Sequence, residues 1–162
     1  LFEALRALRG RRPEVLLLLV GDGPRRAGLE ELAAAMGLAG AVSFLGRRPD
    51  VPAILARADI GVLPSNAEGL SNAIIEGMAA SLPMVVTDAG GNGELVRDEE
   101  NGFVVPIGSS TMLAARLEAL ARARPLRTKM GQAGRAFVER ELRLERLLER
   151  HEALYRKVLS EG

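Results

Sequence analysis

The 162-residue chain contains no cysteine and a single histidine. Without cysteine there is no disulfide framework, no thiol nucleophile and no thiolate zinc site. With His151 alone, any mechanism or metal site that needs two histidines is excluded. An excess of charge of one sign is also missing. Lys and Arg number 22 against 21 Asp and Glu, a net charge of +1, so there is no electrostatic case for nucleic-acid binding. No apolar run approaches the roughly 20 residues that span a bilayer. A starting methionine is absent, and Leu1-Phe2-Glu3-Ala4-Leu5-Arg6 reads as the middle of a helix with no N-cap before it. That is neither a signal peptide nor a natural start, so a fragment of a longer protein is expected.

What is present suffices for one folded domain. Hydrophobic residues make up 48% of a chain long enough to bury a sizeable core. The run Val15 to Val20, bounded by Pro13 and Gly21, predicts a strand buried on both faces, as in a parallel sheet. Further strands are predicted at Val42 to Leu45, Ile60 to Leu63, Met84 to Val86 and Phe103 to Val105. Between them lie helix signals over Pro24 to Gly37, Val51 to Arg57 and Ser71 to Ala80. Strands alternating with helices argue for an α/β domain with a mostly parallel, Rossmann-like sheet and helices on both faces. After Pro106 the pattern turns helical over Met112 to Ala123, Leu126 to Glu139 and Leu142 to Leu159. The last helix carries Leu144, Leu147, Leu148, His151, Tyr155 and Val158 along one stripe. No internal repeat, low-complexity stretch or interdomain linker interrupts the chain.

Ligands of open parallel sheets bind beyond the carboxyl ends of the strands. Two loops there are rich in glycine and short polar residues. The first, Pro64-Ser65-Asn66-Ala67-Glu68-Gly69-Leu70-Ser71-Asn72, leads into a helix whose first amides and partial positive charge suit phosphate oxygens. Gly69 keeps those amides accessible, and Glu68, an acceptor when ionised, suits sugar hydroxyls. Glu76, eight residues on, interrupts an apolar helix, and a ribose diol is a fitting partner for its carboxylate. The plainer alternative makes Glu68 an ordinary loop residue and turns Glu76 to solvent. The second loop, Thr87 to Glu94, contains Gly90-Gly91, which permit close approach of a ligand or simply form a flexible turn. Glu94 is expected to accept bonds at the start of a short helix. Gly21-Asp22-Gly23-Pro24 lacks the third glycine of a dinucleotide fingerprint, where Arg26 stands, and reads as a plain turn. Arg47 and Arg48 either flank a ligand or are solvated surface charges.

Together the ordered segments Val20-Gly21-Asp22-Gly23-Pro24, Val42 to Gly46, Ala58 to Ser65, Glu68 to Ala79, Pro83 to Gly91 and Asn101 to Val105 resemble the C-terminal domain of the group 1 (family 4) glycosyltransferases of the B-type fold. The resemblance runs over nearly the whole chain. It implies a cytoplasmic, retaining hexosyltransferase of bacterial polysaccharide biosynthesis that uses a nucleotide diphosphate sugar without a metal or other cofactor. The full-length protein would sit at, or peripheral to, the inner membrane face. Glu68 and Glu76 match the family's E-x7-E motif, in which the first glutamate approaches the donor sugar and the second holds the ribose. Gly69, Leu70 and Ser71 would meet the diphosphate or sugar, and the backbone from Phe44 through Gly46 to Arg47 would line the base pocket. Ser81 stands where glycine is usual, and Gly77 where alanine is. On this view residues 1–162 form the single donor-binding domain of a two-domain enzyme. The first, central strand, the basic pair that clasps the diphosphate and the N-terminal acceptor-binding domain are missing, so the fragment would be inactive alone. Its exposed strand edges, at Val15–Val20 and Ile60–Leu63, are expected to close on each other or to pair with another chain.

Two other readings remain. A dinucleotide-binding oxidoreductase needs an acidic residue about 20 positions after its glycines, where Phe44 and Leu45 stand. A non-catalytic nucleotide- or sugar-binding module of the same fold differs only in activity.

Overall fold

The computed structural model describes residues 1–160. Eight helices and five strands follow in order: α1 (Phe2–Arg9), β1 (Leu17–Val20), α2 (Arg26–Ala35), β2 (Val42–Gly46), α3 (Val51–Leu55), β3 (Gly61–Leu63), α4 (Asn72–Ala79), β4 (Met84–Thr87), α5 (Asn92–Leu95), β5 (Gly102–Val105), α6 (Ser110–Arg122), α7 (Arg124–Glu141) and α8 (Leu144–Ser160). All strand pairings in the two sheets are parallel, as the βα alternation predicts.

Helices flank both faces of the sheet formed by β3, β4 and β5. The period-2 alternation of β4 explains how. Val85 points into a core with Ala4 and Leu8 of α1 and Leu113 and Leu117 of α6, while Met84 and Val86 point to Ile74 and Met78 of α4. All four β4 residues are buried, which is why this strand reads as an uninterrupted apolar run ending in Thr87. The thioether of Met84 lies where a side chain on Gly61 or Gly77 would go. A Cβ on Gly77 would come within 2.5 Å of its sulfur, so the glycine at a position that is usually alanine makes room for Met84. Ser81, between α4 and β4, has φ 62°, the left-handed region in which an ordinary side chain costs about 1–2 kcal/mol. That backbone conformation accounts for the glycine usual there.

Two expectations are corrected. The strands form two sheets, β1–β2 and β3–β4–β5, and β1 and β3 do not close on each other. Each is an edge strand with one row of unpaired backbone groups. Second, β1 is buried on one face only. Leu17 packs with Phe2 and Leu5 of α1 and Ala33 of α2, whereas Leu18 and Val20 are 45% and 40% exposed, and Leu16 just before the strand 65%. Among the described residues no element covers that second face, so apolar character alone did not guarantee burial. Of the α8 stripe, Leu148, His151, Tyr155 and Val158 face solvent. The side chains of Leu144 and Leu147 lie outside the described residues. Among the described residues no helix is long and apolar enough to cross a membrane.

Candidate functional site

The carboxyl ends of the strands carry the candidate residues on two neighbouring shelves. The larger shelf joins the loop after β3 to the loop after β4. Thr87, the last residue of β4 and 5% exposed, donates its hydroxyl to the Ser65 carbonyl at 2.5 Å. Ser65 in turn donates its hydroxyl to Glu68 Oε1 at 2.5 Å, which fixes one oxygen of the carboxylate and leaves the half-buried group reachable. The Gly91 amide donates to the Gly69 carbonyl at 3.2 Å.

Gly90 and Gly91 lie directly over the Glu68–Gly69 backbone. A Cβ on Gly90, whose φ is 52°, would sit 1.8 Å from the Glu68 carbonyl oxygen, and one on Gly91 2.6 Å from the Gly69 oxygen. The paired glycines therefore permit close approach of backbone to backbone. At these two positions the close approach is to the chain's own backbone.

From this loop the chain enters α4. Ser71 is its N-cap residue and is buried, but its hydroxyl makes no capping bond. The first intrahelical acceptance is Ile75 N–H to Ser71 O at 3.3 Å. The amides of the first turn are thus left for another acceptor, in the manner of anion-binding helix starts. Gly69 and Leu70, beside them, are exposed.

Glu76 lies one turn into α4, on the face shared with Asn72 and Ala73 and opposite buried Ile74, Gly77 and Met78. It is exposed, so its charge costs nothing unpaired, and the argument from burial in an apolar helix does not hold. Its place on the helix face that leads up to the loop is what remains.

The smaller shelf is the end of β2. Gly46, at φ 65°, accepts the Gly21 amide at 2.8 Å, after an irregularity in register between Leu19 and Val20. Gly21 bridges Gly46, the Gly23 amide is bonded to Asp22 Oδ1 at 2.9 Å, and a turn through Pro24 and Arg25 is closed by the Arg26 amide on the Gly23 carbonyl at 3.1 Å. Arg47 is exposed and makes no bond among the described residues, whereas Arg48 is tied bidentately to Asp50 at 2.8 and 2.7 Å. That bond to Arg48 holds the exposed Asp50 carboxyl below the ordinary carboxylate range.

Several residues here escaped sequence reasoning. Arg26 counted only as a failed glycine position. Its guanidinium bonds the Phe44 carbonyl at 3.2 Å and Glu30 at 2.8 Å, bracing the end of β2. Ser65 and Thr87 are ordinary by type, and only their contacts single them out. The expectation for Glu94 is corrected. It sits exposed in the first turn of α5 with no described bond to its carboxylate, and fully buried Asn92 does the bracing, its side-chain amide donating to the Thr87 carbonyl at 3.0 Å. Two surface concavities, one along the α1–α6 seam and one at the amino ends of β3 and β4 near Asp59 and Arg127, lie away from both shelves.

With this geometry in place, comparison with known proteins is direct. The family model for glycosyl transferases group 1 matches residues 1–137. The lipopolysaccharide core biosynthesis glycosyltransferase LpsE of Rhizobium meliloti is 37% identical over 133 residues, 82% of this chain and 39% of LpsE. A glycosyltransferase structure from Rickettsia africae superposes with TM-score 0.88 at 26% identity, covering 100% of this chain and 44% of that one. The structure of HepE of Anabaena in complex with UDP superposes with TM-score 0.83 at 27% identity, over 100% of this chain and 44% of HepE. The chain spans about two-fifths of the length of the curated relatives it matches.

Proposed function

The chain belongs to the group 1 glycosyl transferases, and from that premise we propose that it is the donor half of a two-domain retaining enzyme, binding a nucleotide diphosphate sugar for transfer to an acceptor held elsewhere. The observation that carries the proposal is the larger shelf. It sets an uncapped helix start, suited to phosphate oxygens, beside a carboxylate already fixed by Ser65, suited to sugar hydroxyls.

The diphosphate rests on the amides around Gly69, Leu70 and Ser71, the ribose on Glu76 and the base on the backbone at Gly46 and Arg47. Glu68 faces the sugar. In the transfer step the bond from the anomeric carbon to the β-phosphate oxygen breaks, and the phosphate leaves with the electron pair. The acceptor hydroxyl adds to the same face, and its proton passes to the departing β-phosphate oxygen. The negative charge of Glu68 favours the positive charge that develops on the sugar. No metal takes part, so a chelator leaves turnover unchanged. We place the whole protein in the cytoplasm, peripheral to the inner membrane face.

The open edges of β1 and β3 take a further parallel strand, one that precedes α1 and reaches β1 by the usual right-handed crossover. Without that strand the isolated chain self-associates through these edges and transfers no sugar.

A thermal-shift panel of UDP, GDP, ADP and their sugars tests the binding claim on this chain. A ligand at ten times its Kd adds about 1.4 kcal/mol, since stabilisation grows as RT ln(1 + [L]/Kd). For a chain of this size that is a rise of roughly 3–5 °C in Tm. One nucleotide family is expected to raise Tm and the others not. A flat response to all three at millimolar concentration contradicts the proposal.

A further inference from the structure

Resting on the assignment of Glu68 to the donor sugar, we propose that Thr87 is a positioning residue for that carboxylate, acting through Ser65. Three hydrogen bonds run in series from the core to the site: the fully buried Asn92 amide to the Thr87 carbonyl, the Thr87 hydroxyl to the Ser65 carbonyl, and the Ser65 hydroxyl to Glu68. The residue type at position 87 is informative. Met84, Val85 and Val86 precede it in the same buried strand, and valine would fill nearly the same volume without a hydroxyl to satisfy. The hydroxyl reaches the Ser65 carbonyl at 2.5 Å, and the Leu63 carbonyl lies farther off at 3.4 Å. One end of the Glu68 loop is thereby tied to β4. The other end is tied by the Gly91 amide to Gly69, with Gly90 packed on the Glu68 backbone. The backbone of the Glu68 loop is held from both sides by the β4–α5 segment, and within that loop Ser65 bonds the carboxylate. Misplacing a reacting group by about 1 Å costs on the order of a hundredfold in rate, so a bond two steps away from the carboxylate matters to turnover.

The test uses the two-domain parent enzyme, with release of nucleoside diphosphate from UDP-, GDP- or ADP-glucose as the readout and the bare nucleotide for Kd. Thr87→Val is expected to lower turnover ten- to a hundredfold, to leave the Kd of the nucleotide unchanged, and to be rescued by Thr87→Ser, which restores the hydroxyl. In a Glu68→Gln background the same Thr87→Val change is expected to add little, because its effect passes through the Glu68 charge. Additive losses in the double mutant, equal losses in Thr87→Ser and Thr87→Val, or normal turnover in Thr87→Val would overturn the inference. Should Thr87→Val not fold, Ser65→Ala keeps the carbonyl that Thr87 reaches and removes the next link through which Thr87 acts, the hydroxyl bonded to Glu68, at a half-buried loop position. Its normal turnover would be equally fatal. A Glu68→Gln enzyme with normal turnover defeats the reading of Glu68 itself, so the two failures are told apart.

Discussion

Glu68→Gln in the two-domain parent is expected to lower turnover by roughly 10²- to 10³-fold, the range found when one preorganised electrostatic contact to a transition state is removed. The Kd of the bare nucleotide should scarcely move. The substitution keeps the size of the side chain and an oxygen to accept from Ser65, so the loop has no reason to rearrange. Only the charge is lost, and that charge matters when the β-phosphate departs and the anomeric carbon becomes positive. On the proposed placement, the ground-state contacts to base, ribose and diphosphate lie elsewhere on the shelves. A loss that falls on kcat marks an interaction made in the transition state. Steady-state kinetics beside nucleotide titration separate the two, and normal turnover would remove Glu68 from the chemistry.

Glu76→Ala is expected to do the opposite. It should raise the Kd of the nucleotide about ten- to a hundredfold, because a hydrogen bond to a charged group contributes roughly 1.5–3 kcal/mol. Folding stability should hold. The carboxylate is exposed, makes no described bond, and alanine is the better helix former. The effect should require the ribose, so inorganic diphosphate should bind both forms alike. Calorimetric titration checks this, and unchanged nucleotide affinity would strike Glu76 from the site.

How much of this was legible beforehand follows from what each signal measures. Apolar runs bounded by Pro and Gly located all five strands, and their alternation with helices fixed a parallel sheet, because covalent connectivity leaves few other arrangements. The Pro64–Asn72 loop stood out because a helix start after glycine is a local feature. The rest depends on contacts distant in sequence. Val15 to Val20 is apolar enough for burial on both faces, yet burial needs a covering element, and among the described residues none lies over Leu18 and Val20. Gly90 and Gly91 announced a close approach, but nothing local said that the thing approached was the Glu68 backbone 22 residues earlier. Glu76 seemed stranded among apolar neighbours in the linear sequence. The helical turn puts it on the outer face instead. Thr87 and Ser65 carry no signal by type, and the bond between them comes to light in the fold alone.

The central claim, that this chain receives a nucleotide diphosphate sugar on the shelf after β3, is tested most directly by titrating the nucleotide selected by Tm into the isotope-labelled chain and following backbone amides by NMR. The expected result is saturable shifts at Gly69, Leu70 and Ser71, at the first turn of α4 and at Gly46 and Arg47, with the seam between α1 and α6 unmoved. Saturable shifts confined to another face of the molecule, or none for any nucleotide or its sugar, would contradict it.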